Sequence, residues 1–464
     1  MAPRRFWVET LGCPKNSVDS DKVTGSLLAD GYLPASSADS ADLVVVNTCA
    51  FVEEARQESI DTILGLSDTR QDGAELVVTG CLAERYGAEL AESLPEVDRV
   101  VGFGGPIVSQ ETGWVPVTLG VGTSASADPD REPTLARRPQ QHVPAFDLLN
   151  MPRPAPTAPW AYLKVAEGCD RACGFCAIPS FRGKQRSRDR EALVGEAASL
   201  ADGGVREIVL VAQDLASYGR DQGVGSRQIV ELVDEVADIV DRVRLLYLYP
   251  SDLTDELIDA ICRTGVPYFD LSLQHVSRPL VRRMRRWGDG ARYLERIRAI
   301  RAREPDAVFR SNFIVGYPGE TESDHDELLA FVEEAQLDWC GFFSYSEEDG
   351  TYAADLDGAV PATLMHERLM ELRGMQDDIT AYRRDALVGR TVSALVDEPG
   401  IGRSHREAPE IDGVVHLPEA CEVGSIVDVE VVSAEGPDVH AVLPGSTAAA
   451  ALGAASERHL RLVR

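Results

Sequence analysis

Three cysteines stand together in the segment EGCDRACGFCAIPSFRG, at Cys169, Cys173 and Cys176. A structural zinc site closes with four protein ligands, and the next Cys or His after Cys176 is Cys262. Three thiolates from one loop leave a metal corner open. A [4Fe–4S] cluster held this way keeps one iron free, and that iron chelates a small molecule such as S-adenosylmethionine through its amino and carboxylate groups. One electron then cleaves the sulfonium and yields a 5′-deoxyadenosyl radical, which takes hydrogen from an unactivated carbon. Cluster and cofactor carry that chemistry, and the protein positions them. Phe175, just before the third cysteine, is placed to cover the cluster or to stack on the adenine. Zinc and three unliganded core thiols are the competing readings of these residues.

A second trio lies in the first hundred residues. The apolar runs RFWVETLGC, ADLVVVNTC and AELVVTGC end at Cys13, Cys49 and Cys81, and a helix-like stretch follows each. This is strand–Cys–helix three times over. Strands alternating with helices predict a parallel sheet, and such sheets collect functional groups at the carboxyl ends of their strands. All three cysteines are therefore expected on one edge, within reach of each other. The alternative is three unrelated buried thiols.

The elements that must position Cys169, Cys173 and Cys176 come from a second alternating region. WAYLKVAEG, REIVLVAQD, VRLLYLYP, YFDLSLQ, VFRSNFIVGYPG and WCGFFSYS read as strands with helical patterns between them. Six units are fewer than the eight of a closed barrel, so an open (β/α)6 partial barrel is expected. Polar residues gather where these strands end, at Gln213 and Asp214, Tyr249 and Ser251, Gln274 and His275, and in the PGET turn with Gly319, Glu320 and Thr321. Gln213, Asp214, Gly319, Glu320 and Thr321 are the candidate contacts to S-adenosylmethionine or substrate; ordinary closure of β/α loops is the alternative. The basic stretches RGKQRSR and RRMRRW suit either a docking surface for an acidic electron donor or ribosomal RNA, or a solvated helix face. Cys262, Cys340 and Cys421 are scattered and read as core packing.

The fold class is thus α/β, in three parts: residues 1–115, a parallel α/β domain; 155–386, the partial barrel; and 387–464, a small antiparallel β-barrel. Residues 116–154, rich in Pro, Ala, Ser and Asp, read as a linker. The chain has 464 residues, 44% of them hydrophobic and 26% charged, as in ordinary globular proteins. No apolar run reaches membrane-spanning length and the N-terminus has no secretory core, so no membrane association and a cytoplasmic location are expected. Nine cysteines in such a chain are not expected to form disulfides. The formal charge of −30 argues against broad nucleic-acid binding and favours a basic protein partner. The last segment, from Ala386, holds six arginines, no lysine and twelve acidic residues. A module that grips tRNA should be basic.

With these residues in view, the chain resembles the methylthiotransferase family of radical-SAM enzymes. The loop at Cys169, Cys173 and Cys176 is similar to the family's signature, the trio Cys13, Cys49 and Cys81 is similar to its second cluster site, and the C-terminal barrel is similar to its TRAM domain. LGCPKNSVDSD, GCLAERY, CAIPSFRGKQRSR, VAQDLASYG, LYLYPSD, LQHVS, VGYPGET and FFSYSEEDGTYA narrow the resemblance to the branch that modifies the twelfth small-subunit ribosomal protein at the β-carbon of an aspartate. The resemblance implies two [4Fe–4S] clusters and two S-adenosylmethionine molecules per reaction, one methylating a sulfur held at the N-terminal cluster and one cleaved at the other. It further implies a reducing electron donor such as flavodoxin or ferredoxin, and contact with the ribosome or an assembly complex. One departure is Ser272, where the family pattern has proline; a local change of turn is expected there. A tRNA adenosine methylthiotransferase and a non-enzymatic iron–sulfur carrier are the rival readings. Carriers usually close each cluster with four cysteines.

Overall fold

The structure is a computed structural model that describes residues 3–108, 147–223 and 227–446. It falls into two compact units, Met1–Pro154 and Ala155–Arg464. Most of the expected linker lies outside the described residues. Its end does not: Leu148 is buried in the core of the first unit, with Met151 packed against it.

In the first unit β1 (Arg5–Thr10), α1 (Pro14–Ala29), β2 (Leu33–Pro34), β3 (Leu43–Thr48), α2 (Glu53–Thr69), β4 (Glu75–Gly80), α3 (Cys81–Ser93) and β5 (Arg99–Val100) follow in order. The strands form one sheet in the order β2-β1-β3-β4-β5, parallel at every pairing. The central strand β3, LVVVNT, is buried along its whole length, as a strand covered on both faces must be. Pro14 opens α1, where a missing N–H costs nothing. The short strands β2 and β5 carry too few residues to show a period in sequence.

The second unit begins with β6 (Trp160–Lys164), β7 (Ala166–Glu167), α4 (Ile178–Phe181), β8 (Arg186–Ser187), α5 (Arg190–Asp202), β9 (Glu207–Val211), α6 (Ile229–Ala237), β10 (Arg242–Leu245), α7 (Asp255–Arg263), β11 (Tyr268–Gln274), α8 (Arg278–Arg283), α9 (Gly290–Arg303), β12 (Val308–Val315), α10 (Glu322–Ala335), β13 (Trp339–Ser344) and α11 (Ala362–Asp385). The six expected strands form two parallel sheets, β10-β9-β6 and β11-β12-β13, joined by a single bridge from Leu248 to Leu271. Alternate residues such as Ile208, Leu210, Phe269, Phe309 and Phe313 enter the core beneath the helices. Their neighbours Glu207, Arg244, Tyr268 and Arg310 fall on the opposite, inner face, by the two-residue period of a strand.

The chain ends in β14 (Thr391–Glu398), β15 (Ile401–Arg403), β16 (Val415–His416), β17 (Ile426–Glu435) and β18 (Asp438–Val442), which close into a barrel. Its pairings are antiparallel except β16 with β18, which is parallel. The segment after β15 plugs the amino-terminal end of the partial barrel. Arg242 donates to the Arg403 carbonyl at 2.9 Å and Arg244 to that of His405 at 3.0 Å. Tyr268 and Arg310 both bind Asp412, at 2.6 and 2.5 Å. The Trp339 indole donates to the Arg406 carbonyl at 2.7 Å.

Candidate functional site

Cys13 lies three residues past the end of β1, and Cys49 and Cys81 directly follow β3 and β4, the three strands being neighbours in the sheet. Cys13 caps α1 and Cys81 opens α3, so both residues stand at the positive end of a helix. Gly12 has φ +94°, and a Cβ there would stand 2.9 Å from Cys49 Sγ. Only glycine lets the Cys13 turn approach the second thiol this closely. Asn16, wholly buried on the first turn of α1, ties the trio together. Its Nδ2 donates to the carbonyls of Leu11 at 2.8 Å and Thr48 at 3.0 Å, and its Oδ1 lies 3.8 Å from Cys81 Sγ. Asn47 donates in turn to the Asn16 carbonyl at 2.9 Å. Neither asparagine belongs to the residues singled out above; a polar amide amid a strand–Cys–helix junction is the signal that marks them in the sequence.

The second trio sits on the loop between β7 and α4. Gly168, at φ +77°, precedes Cys169, and a Cβ there would come within 2.3 Å of the Lys184 carbonyl. The three thiols are mutual neighbours, since Cys169 and Cys173 both act electrostatically on Cys176. Burial pushes the Cys169 thiol up to about 11 and the Cys176 thiol up to about 12. Burial therefore favours the neutral form of Cys169 and Cys176, and a thiolate-binding metal would reverse that preference. Among the described residues no three His, Cys, Asp or Glu side chains close on one point as ligands of a single metal ion.

Arg171, inside the loop, anchors it to the strand ends. Its Nε donates to Asp214 at 2.6 Å, its Nη2 to Ser217 at 3.2 Å and to Asp252, and its guanidinium lies 3.9 Å from the Tyr249 ring centre. Asp214 is therefore a loop anchor. Gln213 donates to Glu167 at 2.6 Å. Glu167 also pairs with Arg182 at 3.0 Å and with Lys164; against the cost of burial, these two cations hold its carboxyl down at about 2. Phe175 packs at the edge of a small cluster of Leu280, Met284, Tyr317 and Ala353.

The PGET turn is occupied by structure. The Gly319 N–H donates to the Gly358 carbonyl at 2.7 Å. Glu320 accepts from Arg368 at 2.9 Å and from the Gly316 N–H at 2.5 Å. Thr321 caps α10 in a reciprocal box with Asp324. Thus Glu320 and Thr321 have their hydrogen bonds filled within the protein. By contrast Gln213 Oε1, two residues past the end of β9, and Asn312 Oδ1, on β12, are buried without a partner. A buried carbonyl oxygen left unpaired is costly, and a polar ligand in the barrel is the physical remedy. Gln274 ends β11 at φ +72°, and His275 is wholly buried, its Nδ1 accepting from the Ser277 N–H at 3.1 Å.

Two expectations change here. In RGKQRSR, Arg182 and Arg188 are buried and paired with Glu167 and Glu196, while Lys184 is exposed, so the stretch is not a uniformly solvated basic face. In RRMRRW, Arg286 reaches inward to Cys173. Ser272 lies within β11 and makes no turn; its N–H donates to the Leu248 carbonyl at 2.9 Å, a bond proline could not make. Cys262 and Cys340 pack on the partial-barrel core and Cys421 in that of the small barrel.

Residues 5–102 match Uncharacterized protein family UPF0004, residues 163–332 the Radical SAM superfamily, and residues 388–443 the TRAM domain. The chain is 42% identical to "Ribosomal protein uS12 methylthiotransferase RimO" of Salinispora tropica, over 97% of each chain. It is 40% identical to the protein of that name from Cutibacterium acnes, over 93% of this chain and 96% of that one. Among solved structures it is similar in fold to the radical S-adenosylmethionine methyltransferase TsrM of Kitasatospora setae. That match has a TM-score of 0.50 at 15% identity and covers 91% of this chain and 84% of that one.

Proposed function

The chain belongs to the ribosomal protein uS12 methylthiotransferase family, and from that premise we infer how its two cysteine trios divide the work of adding a methylthio group to the β-carbon of an aspartate in uS12. Cys169, Cys173 and Cys176 hold one [4Fe–4S] cluster; Cys13, Cys49 and Cys81 hold the other. When bound, the clusters and S-adenosylmethionine supply radical cleavage at the first and sulfur carriage at the second. The protein's own task is placement. Asp214 and Asp252 fix the first loop through Arg171, Asn16 fixes the second set, and Gln213 and Asn312 offer unpaired oxygens to a polar ligand. A radical is required because a β C–H beside an ionised carboxylate is too weakly acidic for a base.

The observation that carries this reading is the placement of both trios at the carboxyl ends of parallel strands, each without a fourth cysteine beside it in sequence. The acidic exterior of the small barrel supports a protein substrate over tRNA. Its buried arginines, Arg403 and Arg406, face the partial barrel, while Glu398, Glu419, Glu422, Asp428 and Glu435 are exposed. Such a surface repels phosphates and attracts a basic ribosomal protein. No helix among the described residues is long and apolar enough to cross a membrane, and a ribosomal substrate places the work in the cytoplasm. A reducing donor such as flavodoxin or ferredoxin supplies the electron. Anaerobic reconstitution with uS12 or with tRNA, followed by mass spectrometry, tests the reading: a methylthio group appears on the protein. Its appearance on tRNA alone would overturn the assignment.

A further inference from the structure

Arg286 follows α8, and its side chain turns in toward the cysteine loop. Nη1 donates to Cys173 Sγ at 3.1 Å, Nη2 donates to the Ser272 carbonyl, and the guanidinium lies 4.3 Å from the centre of the Tyr249 ring. The register of β11 on β12 shifts between Leu271 and Gln274, and at this irregularity the Ser272 carbonyl accepts from Arg286. The other two thiols meet backbone donors: Cys169 accepts from the Arg171 N–H at 3.4 Å, and Cys176 from the Ile178 N–H. Cys173 is the thiol that receives a full positive charge by direct contact.

We propose that Arg286 is a positioning residue that sets the reduction potential of the cluster held by Cys169, Cys173 and Cys176, by donating a charged hydrogen bond to Cys173. The inference rests on that trio holding the cluster. Reduction adds one electron to the cluster, so a fixed cation on a ligand sulfur stabilises the reduced form over the oxidised one and raises the potential. Hydrogen bonds to the sulfurs and net charge are the ordinary levers on such potentials. A guanidinium serves well, because it stays charged at any working pH and its planar fork holds two acceptors at once. The aromatic face of Tyr249 keeps it in place. The run RRMRRW thus contains one arginine committed to the interior of the site.

The test is potentiometric and needs no turnover. The full-length chain is reconstituted anaerobically. The reduced electron-paramagnetic-resonance signal that changes on adding S-adenosylmethionine reports this cluster, and it is titrated in the absence of S-adenosylmethionine. Arg286→Gln should move the midpoint to more negative potential, and Arg286→Lys, which keeps the charge but loses the fork, should move it less. A wild-type protein without any such signal would overturn the reading of the trio itself. A normal signal whose midpoint is the same in Arg286→Gln overturns the role of Arg286 alone, including the case in which that variant only binds S-adenosylmethionine more weakly. Failure of both variants to take up iron would also overturn it, because Arg286 would then be needed for assembly.

Discussion

At the scale of single residues, the two trios should fail in different ways. Cys173→Ala should abolish formation of 5′-deoxyadenosine from S-adenosylmethionine. Cys49→Ala should leave that cleavage in place and stop methylthio transfer, which mass spectrometry of uS12 reads directly. Transfer surviving in Cys49→Ala would refute the division of labour. Gly12→Ala places a methyl 2.8 Å from Cys49 Cβ on a left-handed backbone. We expect a cost of about 1–3 kcal/mol and loss of roughly half the bound iron per chain, read by iron analysis and thermal unfolding. The cysteines were legible from sequence because each terminates an apolar run or shares one short loop. Asn16, Arg171 and Arg286 were not, because their partners lie on other β/α units and no spacing along the chain encodes that proximity.

At the scale of elements, the plug after β15 carries a buried charge network. Glu207 and Arg244 are wholly buried and 2.7 Å apart, and Arg403 joins Glu207 at 3.0 Å and also holds Asp397. Arg384 meets Glu407 at 2.5 Å. Removing one partner leaves an uncompensated buried charge, so Glu207→Ala should destabilise the second unit by roughly 3–5 kcal/mol, measured by denaturant unfolding. Burial works against ionisation of Glu207 and Glu407, yet Arg244 and Arg403 on the first, and Arg384 on the second, hold both carboxyls down at about 2, below the usual 4.5. A depressed carboxyl contributes stability above its unfolded value and loses it as the pH falls toward the folded one. The second unit should therefore lose stability between about pH 4.5 and 2, and Glu207→Ala should flatten that slope. An unfolding midpoint independent of pH across this window would contradict the network's role. The six barrel strands were legible as apolar runs, whereas β15, of three residues, and the plug behind it were not.

At the scale of the whole molecule, a charge of −30 acts on a basic substrate before contact. Screening shortens that attraction to about 8 Å at physiological ionic strength. Raising salt from about 0.05 to 0.5 M should therefore raise KM for free uS12 several-fold while kcat changes little. Replacing Glu419, Glu422 and Asp428 with lysine should imitate high salt, as steady-state kinetics at low salt would show. The acidity of the tail is legible in its composition. That Arg403 and Arg406 are consumed inside, together with Asp397, Glu407 and Asp412, follows only from the packing, and it leaves the exterior with the acidic sign of its composition.

The sequence by itself determined which residues could bind metal, the alternation of strands and helices, and the sign of the electrostatic field, because these depend on residue type and local period. Tertiary structure alone decided that the PGET turn is spent on capping and ion pairing, that Arg182 and Arg188 of one basic run are buried in ion pairs, and that an arginine from beyond α8 rests on a cysteine more than a hundred residues earlier. These are contacts between distant segments, and their energies depend on burial and on which partner arrives, neither of which is written in the local order of residues.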